Sequence, residues 1–209
     1  MFHDLFFSKS KSKVPKPCPI ALSTRVRLAR NLSEFPFPGR AESGQKKAVL
    51  SKCMSALGKV KPLLSSTSVE LDELSELDRQ ILVEKHLISL ELSQSEGSGG
   101  VVLSNDRACS VMVNEEDHLR IQVLANGLDF SKVWKLADSL DSGIESSLDY
   151  AFDSQLGFLT ACPTNLGTGM RASVMMHLPG LVMSKNMDKV INAVNHLGIA
   201  VRGLFGEGS

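Results

Sequence analysis

Arginine is the residue type whose positions in this sequence most directly suggest chemistry. The chain has nine arginines. Five of them lie in predicted strands or at strand ends, beside polar or glycine-rich clusters: Arg25, Arg27, Arg120, Arg171 and Arg202. A guanidinium keeps its charge and offers a planar fork of donors, so several that converge on one point could bind a polyphosphate. Taken singly, each is more simply explained as a surface residue or as half of an ion pair.

A short acidic segment lies near one of these arginines. Asn-Glu-Glu-Asp at 114–117 closes one predicted strand and opens the next. Adjacent carboxylates repel each other unless a cation lies nearby, so a guanidinium or a metal ion is the natural partner. A solvated turn explains the same composition equally well.

The segment 160–169 places a cysteine in an unusual setting. Cys162 precedes a proline in a loop rich in glycine, threonine and asparagine, where a nearby arginine would favour the thiolate. The other cysteines have no such setting and are expected to be buried or incidental: Cys18, Cys53 and Cys109. With no CxxC pair, the sequence indicates neither a zinc site nor a disulfide framework, and a reducing cytoplasm is predicted.

Several common types of catalytic or binding sequence are missing. There is no GxxxxGK[ST] loop, no GxGxxG after a strand, no HExxH and no HRD-type loop. The 23 basic and 23 acidic residues balance, which argues against the broad basic field of a nucleic-acid coat. No apolar run reaches the roughly 18 residues of a membrane span. We therefore expect no membrane segment and no direct nucleic-acid partner.

Hydrophobic spacing predicts the elements that must position these side chains. Alternation over 20–30 predicts a strand with Arg25 and Arg27 on one face. Helices are predicted from Ser43 as cap to before Pro62, from Ser75 as cap to His86, over 130–148 and near 184–196. Further strands are predicted over 99–103, 108–113, 118–125, 157–161, 170–178 and 199–204. This irregular order predicts an α+β fold around an antiparallel or mixed sheet.

The motifs together resemble one enzyme family. STRVR at 23–27, NEEDHLR at 114–120, CPTNLGTGMR at 162–171 and RGLFGE at 202–207 are similar to the ATP:guanidino phosphotransferase (phosphagen kinase) family. The resemblance implies a largely antiparallel sheet flanked by helices. It also implies one catalytic domain at 19–209, truncated before its end because the chain stops inside the last motif. Separately, residues 8–17 alternate serine with lysine and end in prolines, a composition that predicts a flexible basic lead-in at 1–18.

The resemblance is strongest to the bacterial members of the family that act on proteins. LVEKHLIS at 82–89 is similar to those enzymes, and only 22 residues precede Ser23, where small-molecule guanidino kinases have a separate helical domain. The implied reaction is ATP-dependent phosphorylation of arginine side chains on proteins, which yields phosphoarginine and ADP. Two alternatives stay open: a kinase of a small guanidino compound, and a non-catalytic adaptor that binds arginine or phosphoarginine proteins.

The same resemblance implies roles for individual residues. It assigns Glu116 to hold the substrate guanidinium and act as base, Glu207 to hold its other side, and Cys162 to lie beside it as a thiolate. It assigns nucleotide binding to Ser23, Thr24, Arg25, Val26, Arg27, His86, Arg120, Arg171, Ala172, Ser173, Val174, Met175, Arg202, Gly203, Leu204, Phe205, Gly206 and Glu207. Mg²⁺ is expected to be held through the phosphates and water, with no protein metal ligand. Glu115 and Asp117 are expected to be structural or to act through that water.

The resemblance also implies a cellular setting. We expect a cytoplasmic enzyme of protein quality control and the stress response. Its implied partners are protein substrates that present arginine, an activator protein and a Clp-type protease system. The full-length protein is expected to be a homodimer.

Overall fold

The computed structural model describes residues 20–95 and 97–203. The lead-in at 1–18 and the site residues predicted at 204–207 lie outside the described residues. The strands are β1 (Ala21–Arg30), β2 (Thr67–Glu70), β3 (Gly100–Leu103), β4 (Cys109–Val113), β5 (Leu119–Asn126), β6 (Phe152–Asp153), β7 (Gly157–Phe158) and β8 (Met170–Met176). The helices are α1 (Ser43–Leu57), α2 (Glu76–Glu84), α3 (Leu90–Gln94), α4 (Phe130–Glu145), α5 (Pro179–Met183) and α6 (Met187–His196).

Six of these strands form one sheet, in the order β2-β3-β4-β5-β1-β8. Every neighbouring pair in this sheet is antiparallel. The strands β6 and β7 form a separate two-stranded hairpin. The predicted α+β fold with a largely antiparallel sheet is therefore confirmed.

One face of the sheet packs on the two longest helices. The first core contains the alternate residues of the central strands, such as Val26, Leu28 and Ile121, together with the apolar stripes of α1 and α4. The stripe of α4 is spaced by three and four residues, as a helix that buries one face requires: Val133, Ala137, Leu140 and Ile144. Asp129 caps this helix by accepting a hydrogen bond from the backbone N–H of Lys132 at 3.0 Å.

The other face is divided into two halves. Over β2, β3 and β4 it carries a second core that includes Val69, Val101 and Met112, covered by the region of α2 and α3. Over β5, β1 and β8 the same face carries mainly polar and charged side chains, among them Arg27, Gln122 and Arg171. The boundary between these halves is crossed by the short connection from α2 to α3, whose Leu87 and Ile88 are buried in the second core.

Several predicted boundaries differ from the structure. The cap of α1 is Glu42 and not Ser43, because the Gln45 side chain accepts a hydrogen bond from the Glu42 N–H at 2.9 Å and closes a capping box. Ser75 caps α2 as predicted, although the helix ends at Glu84, before His86.

The predicted helices and strands late in the chain also change in length. Of the predicted strand 157–161 only Gly157–Phe158 forms, since Leu159 turns away to donate to the Ala151 carbonyl. Residues 199–203 contain no strand. Across the described ranges, no helix combines the length and apolar character that crossing a bilayer requires.

Candidate active site

Four arginines share the open half of the sheet. Side chains alternate between faces along a strand, so Arg25 and Arg27 of β1 point the same way, as predicted. Arg27 is paired with Arg171 of β8. Arg120 of β5 is paired with Ala29, which lies on the same face as Arg27. We call Arg25, Arg27, Arg120 and Arg171 the arginine row; three strands distant in sequence supply it.

In two members of the arginine row, Arg25 and Arg27, the charged form is disfavoured. Burial lowers the pKa of Arg27, and the other three arginines lower it further, to about 9. Burial and the charges of Arg120 and Arg171 also lower the pKa of Arg25. Among the residues that the structure describes, the buried Nε of Arg27 has no hydrogen-bond partner. A polyanion on this face would supply the missing acceptor and relieve the repulsion between like charges.

Two carboxylates of the acidic segment hold Arg120. Its Nη1 donates to Glu115 Oε1 at 2.5 Å, and its Nη2 donates to Glu116 Oε2 at 3.3 Å. The Ser89 hydroxyl donates to the same Glu115 oxygen at 2.6 Å. The Glu115 side chain is 2% exposed and that of Glu116 is 43% exposed. Glu115 is therefore committed to fixing Arg120, whereas Glu116 is open to an incoming group.

Glu116 lies in negative surroundings. Burial raises its pKa, Arg120 opposes that shift, and three neighbouring carboxylates add to it: Asp117, Glu115 and Glu91. A carboxylate with a raised pKa is a better proton acceptor than an ordinary glutamate. The same negative field attracts a cation, so the position suits a guanidinium that must lose a proton.

Asp117 joins the acidic segment to the loop that carries Cys162. Its Oδ1 accepts hydrogen bonds from the Asn31 side-chain amide at 2.6 Å and from the Ala161 N–H at 2.7 Å. The residue after Glu116 and the residue before Cys162 are thus in direct contact. Asp117 has a structural role in the free protein, as the sequence analysis allowed, and it places the loops that carry Glu116 and Cys162 side by side.

The adjacent His118 is also structural. It is fully buried, and its Nδ1 accepts a hydrogen bond from the Leu32 N–H at 3.0 Å. This assigns the ring proton to Nε2, which lies 3.1 Å from the Pro36 carbonyl oxygen. Burial lowers the pKa of His118. The neutral ring therefore ties the motif to the loop after β1 and is unsuited to acid–base chemistry.

Cys162 is partly exposed at the surface of its loop. Its Sγ lies 3.0 Å from the Thr164 hydroxyl. The Thr160 hydroxyl donates to the Cys162 carbonyl at 2.8 Å and stabilises the turn. The thiol is therefore accessible in a fixed loop, and the thiolate expected from the sequence stays a prediction.

Arg30 fixes the far end of the same loop from the other side of the sheet. Its Nε and Nη2 donate to Asp141 at 3.1 and 2.6 Å, and its Nη1 donates to the Ala29 and Thr168 carbonyls at 2.8 and 2.9 Å. Gly169 has φ +64°, and a Cβ there would lie 2.5 Å from Ala29 O and from Arg30 Nη1. Only glycine fits this close approach.

Some residues expected at the nucleotide site lie on the opposite face. The Thr24 hydroxyl donates to the Gly127 carbonyl at 2.6 Å, and Val26 belongs to the first core. Ala172 and Val174 are paired with Val26 and Thr24 and share their face. The side chains of these four residues therefore cannot contact a ligand on the arginine row.

Apart from His86, the remaining expected residues divide between the row and the end of the chain. Ser23, Ser173 and Met175 lie on the same face as the row, where Arg25 Nε donates to Ser173 Oγ at 3.4 Å. Arg202 and Gly203 are exposed at the end of the described part.

Two side chains that the sequence analysis did not select fix the segment that contains His86. The His86 carbonyl accepts a hydrogen bond from the Gln122 side-chain amide at 2.7 Å, and Ser89 donates to Glu115 as described above. Gln122 is paired with Arg27 in the sheet. The sequence signals Gln122 by placing a polar residue within a predicted strand, between two apolar residues, Ile121 and Val123.

No protein metal centre is formed by the described ranges. Within residues 20–95 and 97–203, no group of three or more His, Cys, Asp and Glu side chains could hold a metal ion. The arginine row itself fits a ligand that carries several negative charges, because the buried Arg27 Nε finds no acceptor within residues 20–95 and 97–203.

Known proteins share both the sequence and the fold. The model of the protein family described as ATP:guanido phosphotransferase, C-terminal catalytic domain, matches residues 48–209. The protein-arginine kinase of Symbiobacterium thermophilum is 49% identical over 193 residues, covering 91% of this chain and 55% of the relative. That of Caldanaerobacter subterraneus subsp. tengcongensis is 47% identical over 192 residues, covering 91% and 57%. The chain spans about half the length of the curated relatives it matches.

Solved structures of other guanidino kinases have a similar fold. The duplicated taurocyamine kinase of Schistosoma mansoni, with bound transition-state analogue components, has a TM-score of 0.82 at 28% identity, covering 100% of this chain and 30% of that chain. Lombricine kinase has a TM-score of 0.74 at 22% identity, covering 95% and 62%, and supports the fold alone. With the family match over most of its length, the chain belongs to the ATP:guanido phosphotransferase family.

Proposed function

We propose that this chain supplies the catalytic face of a protein-arginine kinase. The enzyme transfers the γ-phosphoryl group of ATP to an arginine side chain of a protein and yields phosphoarginine and ADP. The observation that carries the proposal is the arginine row, in which the buried Arg27 Nε has no partner among the described residues and Arg120 contacts the open carboxylate of Glu116. Relatives named protein-arginine kinase over 91% of the chain support the same activity.

The arginine row binds the phosphates. Phosphoryl transfer places negative charge on the equatorial oxygens of the transferred group, and fixed donors in a partly buried site stabilise that charge. An anion should stabilise Arg27 and Arg25 most, because burial and the neighbouring arginines disfavour their charged forms before it binds. Mg²⁺, held through the phosphates and water, neutralises further charge. Arg202 and the residues at 203–207 complete the nucleotide site in this proposal.

Glu116 orients the acceptor. A guanidinium is a weak nucleophile because its charge is delocalised, so it must lose a proton as the N–P bond forms and the bond from phosphorus to the ADP oxygen breaks. Glu116 takes that proton, and its raised pKa favours the transfer. Glu207 holds the other side of the guanidinium, and Cys162 lies beside it as a thiolate. The exposure of Glu116 suits an arginine presented by another protein.

The proposed cellular role rests on the family resemblance. We propose a cytoplasmic enzyme in protein quality control and the stress response, with an activator protein and a Clp-type protease as partners and a homodimer as the full-length form. The protein substrates carry accessible arginines. The catalytic domain is proposed to comprise residues 19–209, with 1–18 as a basic lead-in.

The test is mass spectrometry under conditions that spare the acid-labile P–N bond. An arginine-rich protein and free arginine are incubated separately with ATP, Mg²⁺ and the chain. The full-length relative from Symbiobacterium thermophilum is the positive control. Glu116→Gln is the inactive variant, since it keeps the size of the side chain and removes the base.

The outcomes separate the candidate functions. Phosphoarginine on the protein that disappears with Glu116→Gln supports the proposal. Phosphorylation of free arginine alone would identify a small-molecule guanidino kinase. Binding of the arginine-rich protein with no transfer to either acceptor, while the relative is active, would identify a non-catalytic adaptor.

A further inference from the structure

We propose that Gln122 is a positioning residue for the nucleotide, and that it acts by fixing the His86 backbone at the rim of the arginine row. The inference rests on the proposed function, because it concerns the same site. It assigns a role in ATP recognition to a residue that itself touches neither the phosphates nor the acceptor.

Gln122 is placed between the phosphate-binding face and the His86 segment. It is paired with Arg27 across β5 and β1, and only 5% of its surface is exposed. Its Nε2 donates to the His86 carbonyl at 2.7 Å and to the Ser110 hydroxyl oxygen at 3.2 Å. An amide buried in a sheet is retained only when its donors find acceptors, and here one acceptor is a loop backbone.

His86 needs such an anchor because of its conformation. It follows α2 with φ +56°, a left-handed value that glycine adopts without cost and histidine does not. Its N–H donates to the Val83 carbonyl at 2.8 Å, and the Leu87 N–H donates to the Leu82 carbonyl at 2.9 Å. These bonds close the helix end, and the Gln122 bond joins that end to the sheet.

The segment from His86 to Ser89 is attached at both ends. Gln122 holds the His86 end beside Arg27, and the Ser89 hydroxyl holds the other end against Glu115. Leu87 and Ile88 between them are buried in the second core. The Gln122 bond therefore places the partly exposed His86 close to Arg27, at the edge of the face that carries the arginine row, and we assign the nucleoside of a bound ATP to this edge.

This placement predicts a selective defect. Loss of the Gln122 amide would free the His86 turn but leave the four arginines of the row in place. Binding of ATP, which has a nucleoside, would weaken. Binding of inorganic tripolyphosphate, which presents phosphates alone, would not change.

The experiment measures dissociation constants by isothermal titration calorimetry for ATP and for tripolyphosphate, on the chain and on Gln122→Met. We expect ATP to bind about tenfold more weakly to the variant, the effect of one hydrogen bond, and tripolyphosphate to bind equally. Ser110→Ala is the matched control, because it removes the other Gln122 contact and leaves the His86 contact. It should change neither constant.

A second variant keeps the test decisive if Gln122→Met folds poorly. His86→Ala should show the same split between ATP and tripolyphosphate, and the double variant should bind ATP no more weakly than either single one. Equal weakening of both ligands by Gln122→Met, or additive effects in the double variant, would overturn the positioning role while the proposed function stands. Failure of the unaltered chain to bind either ligand would overturn both.

Discussion

Arg27 and Arg30 lie three residues apart on β1 and face opposite sides of the sheet. They differ in how many hydrogen-bond and charge partners surround them. Every donor nitrogen of Arg30 is paired, with Asp141 or with the carbonyls of Ala29 and Thr168. Its guanidinium carbon also lies 3.6 Å from the centre of the Phe158 ring. Arg27 has a buried Nε that no group in the described part of the chain pairs, and three further arginines surround it.

The difference separates a structural arginine from one that we propose binds a ligand. A buried guanidinium that is fully paired contributes to holding the fold together, whereas an unpaired one destabilises the folded state until an anion arrives. Arg120 is intermediate, because one side of it is fixed by the buried Glu115. The residue type is the same in all three, so the partners decide the role.

The largest effect is expected for Arg27→Met. Phosphoryl transfer should fall by about a thousandfold or more, the usual consequence of losing a phosphate-binding arginine, and the stabilisation of the chain by ATP should disappear. The unliganded variant should be no less stable than the unaltered chain, because a disfavoured charge is removed. Denaturant unfolding with and without ATP measures this effect. Clear destabilisation of the variant without ATP would show that Arg27, like Arg30, stabilises the fold.

The next effect concerns Arg30. Asp141→Ala should lower the free energy of unfolding by about 3–5 kcal/mol, because it leaves a buried guanidinium without its counter-ion. Asp138→Ala, an exposed position on the same helix, is the matched control and should be nearly neutral. Equal unfolding curves for the two variants would show that the Arg30 pair contributes little, and the comparison with Arg27 would lose its basis.

A smaller effect is expected for Ser89→Ala, which tests the intermediate case. The variant loses the hydrogen bond to Glu115 and the cap of α3, where Ser89 accepts from the Leu92 N–H at 3.1 Å. Stability should fall by about 1–2 kcal/mol and transfer by about tenfold, since Arg120 is less firmly held. Ser89→Thr keeps the hydroxyl and should restore both; restored stability without restored transfer would separate the cap from the site.

The sequence alone predicted the sheet class and the shared face of Arg25 and Arg27, because alternation along one strand is a local property. It did not predict which strands are neighbours, so the pairing of Arg27 with both Gln122 and Arg171 emerged only from the register. Alternation also argues against grouping Thr24 and Val26 with the arginines. The motif resemblance treats 23–27 as one block, whereas the strand divides it between two faces.

The smallest expected effect concerns Glu116. Burial and the surrounding carboxylates raise its pKa, whereas burial and the surrounding arginines lower the pKa of Arg27. The Glu116 pKa is raised, so the acid limb of kcat/KM should lie above the range of an ordinary glutamate: transfer is full above that pKa and is lost as the pH falls through it.

Glu91 adds to the rise in the Glu116 pKa from an exposed position on α3. Glu91→Gln should therefore move the acid limb to lower pH and preserve more activity in acid, with little change at neutral pH. Glu76→Gln on α2 removes the same charge elsewhere and should leave the profile in place. If both variants shift the limb equally, the overall charge of the chain governs it and the local field at Glu116 does not. A shift confined to Glu91→Gln would show that neighbouring carboxylates tune the base, as neighbouring guanidiniums tune Arg27.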